Sequence, residues 1–349
     1  MHFRISLLIY AIFTTLLLMS HSVIVDAQDS DRFIINVGGK YGFIDSSGAV
    51  VIQPRYSSVH NFSEGLAAVN SDGKSGFVDP YGKEVIPLVF QAASDFSEGV
   101  AVVDTGNSRG RAAFVDHKGK LTLLTCVIYS EEMIGFSGAF SEGLLPVTVG
   151  NQLTYIDRIC NPLVKPDAIR GSGFSEGLAA VSSGDGKHGY IDRTGKVAIP
   201  YEFLDAASFS EGLALVNIDG KYGYINASGQ VVIAPQFRSG SRNFHEGFAV
   251  VESESKQMGY INKSGGFAVQ PKYQGAWDFS EGLAAVQTFP GKDRNDFSVG
   301  YIDQRGRQVI KPQFIEGEDF VGGIAQVMIH GKFAYVDRTG QVVWPVTGN

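Results

Sequence analysis

The chain has 349 residues, with 29 Lys and Arg against 36 Asp and Glu, for a formal charge of -7. That mildly acidic balance, with no block of basic residues, argues against nucleic acid as a partner. Hydrophobic residues make up 44%, enough for a large core, and the 43 glycines are well above the usual share of roughly 7%, which points to many tight turns.

The chain opens with an export signal in pattern. His2 and Arg4 precede a mostly apolar run from Ile5 to Met19, and Val25-Asp26-Ala27 forms a cleavage site. The expectation is a signal peptide over 1–27 and a mature chain of 28–349, secreted or periplasmic. The apolar run is short for a spanning helix, so an uncleaved anchor is the alternative. Cys is missing beside the cleavage site, which argues against a lipid anchor.

From residue 33 onward the chain repeats. The stretch "NFSEGLAAV" at 61–69 returns as "DFSEGLAAV" at 278–286, and its Phe recurs at 62, 96, 140, 174, 209, 244, 279 and 320. The period is about 35 residues with two insertions. A second anchor, "YGFID" at 41–45, occurs in nine copies down to "FAYVD" at 333–337. With "FIINV" at 33–37 as the leading strand of the first copy, the mature chain is one domain of nine units.

Each unit carries strand signals. "GLAAV", "YGYID" and a "VVI" segment are short, β-branched or aromatic, and bounded by turn residues, and no window holds a helical period. The second of these strands ends in D-x-x-G or N-x-x-G, as at Asp45 to Gly48 and Asn226 to Gly229. The Asx side chain can bond its own turn while Gly takes the left-handed position. The strands are apolar on both faces, so each sheet should be covered on both sides. The small residue inside "YGYID", Gly or Ala in all copies but Thr154, is read as room for a ring from the next unit.

Strand parity asks for a fourth strand or an extended return between Pro54 and Leu66. Doubly covered four-stranded sheets in tandem describe propeller blades. The fold expected is therefore all-β: tandem repeats of about 35 residues in a propeller-like ring, with an open β-solenoid or superhelix as the alternative. The short period and the high unit number favour that alternative; the parity favours the ring.

The pattern F-S-E-G-L-A-x-V, G-K-x-G-Y-I-D-x-x-G, V-V-I-x-P-x-F resembles the WG-containing repeat family over about residues 33–345. The Trp that names the family is replaced here by Tyr41, Ser75, Ala112, Leu153, His188, Tyr222, Met258, Val299 and Phe333. The resemblance implies an exported β-repeat protein and supplies no catalytic residues.

The repeated Glu, at 64, 98, 142, 176, 211, 246 and 281, invites a chemical reading. An active site converges on one substrate and is normally unique. A residue repeated in nearly every unit is read instead as a fold element, a carboxylate accepting backbone N–H groups at the turn into the first strand. The alternative is a carboxylate ring acting as a cation site, without metal-ligand spacing behind it. The mature histidines fall at five different repeat positions, and no hydrolase or phosphate-loop motif is present. No catalytic residue, metal or cofactor is assigned, and the protein is read as a non-enzyme. The Asn-x-Ser sequons at 61, 226 and 262 matter only in a glycosylating host. Cys126 and Cys160 are open as a disulfide in an oxidising compartment.

What breaks the symmetry are two long tips, 104–111 and 287–298, on one hairpin of different units. Variable loops on a constant scaffold are where binding concentrates. They carry Arg109, Arg111, Lys292 and Arg294, a basic set on an acidic chain, suited to an acidic protein or surface polysaccharide. The function expected is an exported binding or scaffold module. An extracytoplasmic enzyme, carbohydrate-active and with its site in a central channel, is the alternative.

Overall fold

The computed structural model describes residues 32–106, 112–123, 139–149, 152–159, 161–164, 166–288 and 298–345. Among them are nine antiparallel sheets, each built from consecutive strands. Blade 6 shows the unit: Asp205–Ala206, Leu213–Ile218, Lys221–Asn226 and Val231–Phe237, paired in that order. The expected extra strand is the one that leads seven of the nine blades; blades 1 and 4 show three strands among the described residues. Only Leu204 separates the last strand of blade 5, Val197–Phe203, from the first of blade 6.

The gaps between sheets are the core. Leu178, Tyr190, Ile199 and Phe203 of blade 5 interlock with Phe209, Ala214, Val216 and Ile225 of blade 6. Every sheet thus buries both faces against neighbours, as the absence of polar alternation foretold. The same packing closes the circle. Phe33, Ile35 and Ile44 of blade 1 (33–56) share a cluster with Ile324 and Tyr335 of blade 9 (316–344). The hydroxyl of Tyr335 donates to the carbonyl of Ile34 at 2.8 Å, across 301 residues of sequence. The ring, a nine-bladed propeller, is the outcome; the open superhelix is not.

Two sequence features are explained by the backbone. The D-x-x-G segments are the expected turns: Gly229 N–H donates to the Asn226 carbonyl at 2.9 Å, the Asn226 side chain accepts from Ser228 and Gln230, and Gly229 has φ of 80°. The small residue of "YGYID", however, makes no room for a neighbouring ring. In six blades it is Gly, and a Cβ on it would strike the fourth strand of its own blade: at Gly223 it would lie 2.6 Å from the Ile233 carbonyl oxygen and 2.8 Å from the Pro235 nitrogen. The cause is a bulge. Tyr222 pairs with Phe237 and Tyr224 with Ile233, so the fourth strand carries two extra residues that fold over the Gly. In blades 3, 4 and 9, where Ala113, Thr154 and Ala334 stand instead, the described part of the fourth strand is three residues long.

Candidate functional site

The F-S-E-G segment is a two-residue hairpin loop between the first and second strands. Ser210 and Leu213 exchange backbone hydrogen bonds at 2.9 and 3.2 Å, and Glu211 and Gly212 both have positive φ, 55° and 87°. That is the geometry of a type I′ turn, which usually selects Asn or Gly at its first central position. Glu in a left-handed conformation costs on the order of 1 kcal/mol, so something must offset it.

The offset lies in the next blade. Each carboxylate accepts the backbone N–H of the turn Gly one unit on: Glu64 from Gly99, Glu98 from Gly143, Glu142 from Gly177, Glu176 from Gly212, Glu211 from Gly247, Glu246 from Gly282 and Glu281 from Gly323, at 2.7 to 3.0 Å for the shorter contact of each. The neighbouring Ser extends the chain of links. Ser63, Ser97, Ser175, Ser210 and Ser280 donate to the carbonyls of Phe96, Phe140, Phe209, Phe244 and Phe320, at 2.6 to 2.8 Å, and Ser141 donates to that of Phe174. The carboxylates do accept backbone N–H groups, as expected, but from the following unit rather than their own.

A third contact lies outside these. The residue after Asp in the next blade's D-x-x-G turn meets the same carboxylate: His117 to Glu64 at 3.6 Å, Arg158 to Glu98 and Arg193 to Glu142 at 3.2 Å, Lys263 to Glu211 at 3.1 Å and Arg338 to Glu281 at 3.4 Å. These pairs are a third to a half exposed and contribute little each. They do place both turn sets on one rim. The repeated Glu and Ser thus act as joints between successive blades.

The basic tip residues Arg109, Arg111, Lys292 and Arg294, and the cysteines Cys126 and Cys160, lie outside the described residues. What is described is the frame that holds the two tips. Asp104 pairs with Ala112, and Thr288 with Ser298, so both interrupt the hairpin between second and third strands, on the rim opposite the Glu belt. Among the described residues no group of three or more His, Cys, Asp or Glu is placed to hold a metal ion.

The concave feature that the sequence reading missed is at the seam between blades 9 and 1. Blade 1 has three strands, with Phe33–Val37 at its edge and neither a first strand nor an F-S-E-G turn among the described residues. A groove of about 500 Å³ lies there, walled by Phe33, Tyr335, Glu318 and Asp319 and reaching Asn61 and Phe62 of blade 2. Asp319 is open to solvent at the mouth. The protein crowded around it, then the carboxylates of Asp278 and Glu318, hold its carboxyl above the usual range. Asp278 is raised too, by burial, against the pull of His245 and Arg242.

The seam has its own repair. At every other junction the aromatic of the third strand meets the motif Phe of the next blade, as Phe43 meets Phe62 at 4.9 Å and Tyr224 meets Phe244 at 5.0 Å. Among the described residues Tyr335 has no such partner and packs on Phe33, with ring centroids 5.6 Å apart and the planes tilted by 59°. The register position of Phe33, opposite the Ile of the third strand, is Ala in seven blades and Leu145 in one. A large ring at that position was the signal in the sequence that the first unit differs.

Nine radial sheets of consecutive antiparallel strands define the molecule as a β-propeller. The repeat model described as "WG containing repeat" matches residues 41–74, 76–107, 189–222, 222–256, 258–288 and 300–333, more than half of the chain. The chain belongs to the WG-containing repeat family. Among solved structures it is similar to a crystal structure of "the eukaryotic initiation factor", at 10% identity, covering 89% of this chain and 94% of that one with a TM-score of 0.61. At that identity the likeness is one of fold. More distant likenesses are to BamB from Moraxella catarrhalis, at 11% identity, 90% and 93% coverage and a TM-score of 0.42, and to the WD40 β-propeller domain of Doa1, at 12%, 70% and 95%, and 0.33. No curated protein matches the chain.

Proposed function

We propose that the protein is an exported, non-enzymatic propeller scaffold that binds a macromolecular partner through loops on one rim. The observation that carries this reading is the commitment of the repeated Glu and Ser to joints between blades. With the repeated polar groups occupied in holding the ring, recognition falls to the parts that vary. The hairpins interrupted by the long tips at 104–111 and 287–298 open on the rim that the Glu belt leaves free. Their Arg109, Arg111, Lys292 and Arg294 would steer an acidic protein face or an acidic surface polysaccharide toward a chain of charge -7, with strong dependence on salt. No metal or cofactor enters this reading. The signal pattern over 1–27 supports a mature chain outside the cytoplasm.

The test is a glycan array and a pull-down with the mature protein, run beside a variant whose two tips are shortened to the length of the tip at 217–222. The shortened variant should keep its melting temperature and lose the acidic ligand. Unchanged binding would move the site off the loops; measurable turnover of a captured glycan would overturn the non-enzymatic reading.

A further inference from the structure

The seam groove has the shape of a missing strand. In the complete blades the second strand is paired on both sides. In blade 6 the carbonyls of Leu215 and Asn217 accept the backbone N–H groups of Ala207 and Leu204, at 2.9 Å each. The same two register positions accept from the leading strand in blade 8, where Ala285 takes Trp277 and Gln287 takes Gln274, and in blade 9, where Gln326 takes Glu318 and Met328 takes Ile315. In blade 1 the equivalent residues, counted from the pairing of Phe33 with Ile44, are Ile34 and Asn36.

Alternation along an antiparallel strand turns the N–H and C=O of Ile34 and Asn36 to the side away from Lys40–Ile44. The contact of Tyr335 confirms the direction. At the other five junctions with a tyrosine, the hydroxyl donates to a carbonyl of the next blade ahead of its motif Phe: Tyr155 to Ser172, Tyr190 to Ala207, Tyr224 to Arg242, Tyr260 to Trp277 and Tyr301 to Glu318, at 2.6 to 2.8 Å. At the seam it reaches one strand further, to Ile34, and among the described residues no leading strand intervenes. Among the described residues the groove is therefore a strand position with its backbone partners in place, one carbonyl of which accepts from the Tyr335 hydroxyl.

The walls state what would fit. The residue before the motif Phe is Asp319 in blade 9 and Asn61 in blade 2, and the described residues of blade 1 place none between them. Glu318 and Asp319 face the groove together, with Asp278 of blade 8 close enough to act on Asp319. Arg32, at the other end, is directed to the carbonyl of Pro80 at 2.9 Å and over the ring of Tyr81. A cationic side chain entering beside Glu318 and Asp319 would offset the repulsion from Asp278 and Glu318 that adds to the effect of burial on Asp319.

We propose that this groove accepts an extended segment of a partner protein bearing Lys or Arg, which pairs with Phe33–Val37 through Ile34 and Asn36 and completes blade 1. This is β-strand addition: main-chain hydrogen bonds give the affinity and the acidic wall gives the selection. It uses the opposite charge and a different part of the ring from the tip loops, and does not depend on them.

The test uses the protein as recovered from its host and a capped octapeptide of alternating Lys and Val, with a Glu–Val octapeptide as control. Fluorescence anisotropy should show saturable binding of the Lys–Val peptide alone, and residue-resolved hydrogen exchange should slow at Ile34 and Asn36. The double variant Glu318→Gln, Asp319→Asn should bind at least tenfold more weakly. Asn36→Pro, which removes an N–H on the open edge and none from the pairing with Lys40–Ile44, should weaken binding as much while the charges stay. Equal binding of both peptides, or an unchanged affinity in the double variant, would overturn the proposal. So would Ile34 and Asn36 amides already protected without peptide, because the edge would then be held by residues 24–31 of the same chain or by a second copy.

Discussion

The carboxylate of Glu176 accepts the backbone N–H of Gly212 from the next blade at 2.9 Å, while Glu176 itself holds φ of 56°. A strained backbone and a bond between blades are thus combined in one residue. Blade 9 supports the pairing of the two effects. There the Glu is replaced by Gly322, with φ of 55°, and the described residues of blade 1 present no turn for it to reach.

Substitution at this position should separate them. Glu176→Ala keeps the strain and loses the bond, and should cost about 1–3 kcal/mol. Glu176→Gly loses the bond but relieves the strain, and should cost about 1 kcal/mol less than the Ala variant. Urea denaturation of both decides it, and a Gly variant weaker than the Ala variant would refute the account.

The bulge over the "YGYID" glycine gives a second contrast. Gly223→Ala puts a Cβ against backbone atoms of Ile233 and Pro235, so the fourth strand must shift, at a cost of about 3 kcal/mol. Ala334→Gly, at the same register where the described fourth strand is short, should cost about 1 kcal/mol or less. Thermal melts of the two variants should differ clearly in this order.

Gly229→Val places a β-branched residue at φ of 80°, with its Cβ 3.2 Å from a methyl carbon of Ile199 in the preceding blade. Strain and crowding add, and the expected loss is about 2–4 kcal/mol. Gly177→Val is strained alike, but nothing lies within 4 Å of its Cβ, so it should lose less. Chemical denaturation of the pair measures the difference.

The buried tyrosines set an alkaline limit. Burial pushes the phenol of Tyr335 up to about 12, and those of Tyr155, Tyr190, Tyr224, Tyr260 and Tyr301 upward as well. The raised groups favour the fold fully below about pH 10, where the unfolded phenol is still neutral, and that contribution is lost as pH rises through the folded values. The turn aspartates run the other way. Hydrogen bonds from Thr194 and the turn backbone hold Asp192 below its usual range, so its contribution is lost as pH falls through that lowered value. Urea midpoints should be level near neutrality, drop above pH 10 together with phenolate absorbance, and drop again in acid.

The seam should be sensitive to the ring that repairs it. Phe33→Ala restores the residue found in most blades yet empties the space beside Tyr335, and should cost about 3 kcal/mol. Ala214→Gly, at the same register in blade 6, should cost about 1 kcal/mol. Equal losses would show that Phe33 carries no special role in closing the circle.

The period, the short strands, the Asx-Gly turns and the family pattern were legible in the sequence, because each is a local signal repeated in nearly every unit. Apolar character on both strand faces also told correctly that every sheet is covered twice. The partner of the repeated Glu was not legible: a carboxylate at Glu176 and an N–H at Gly212 are 36 residues apart, and only the angle between blades brings them together. Nor could periodicity explain Gly223, whose neighbour is a bulge in its own sheet rather than the ring expected from the next. Closure was the decision furthest from the sequence. The twist and spacing of successive sheets, summed over nine units, bring Tyr335 to Ile34; no local preference encodes that sum, and only the folded ring fixes it.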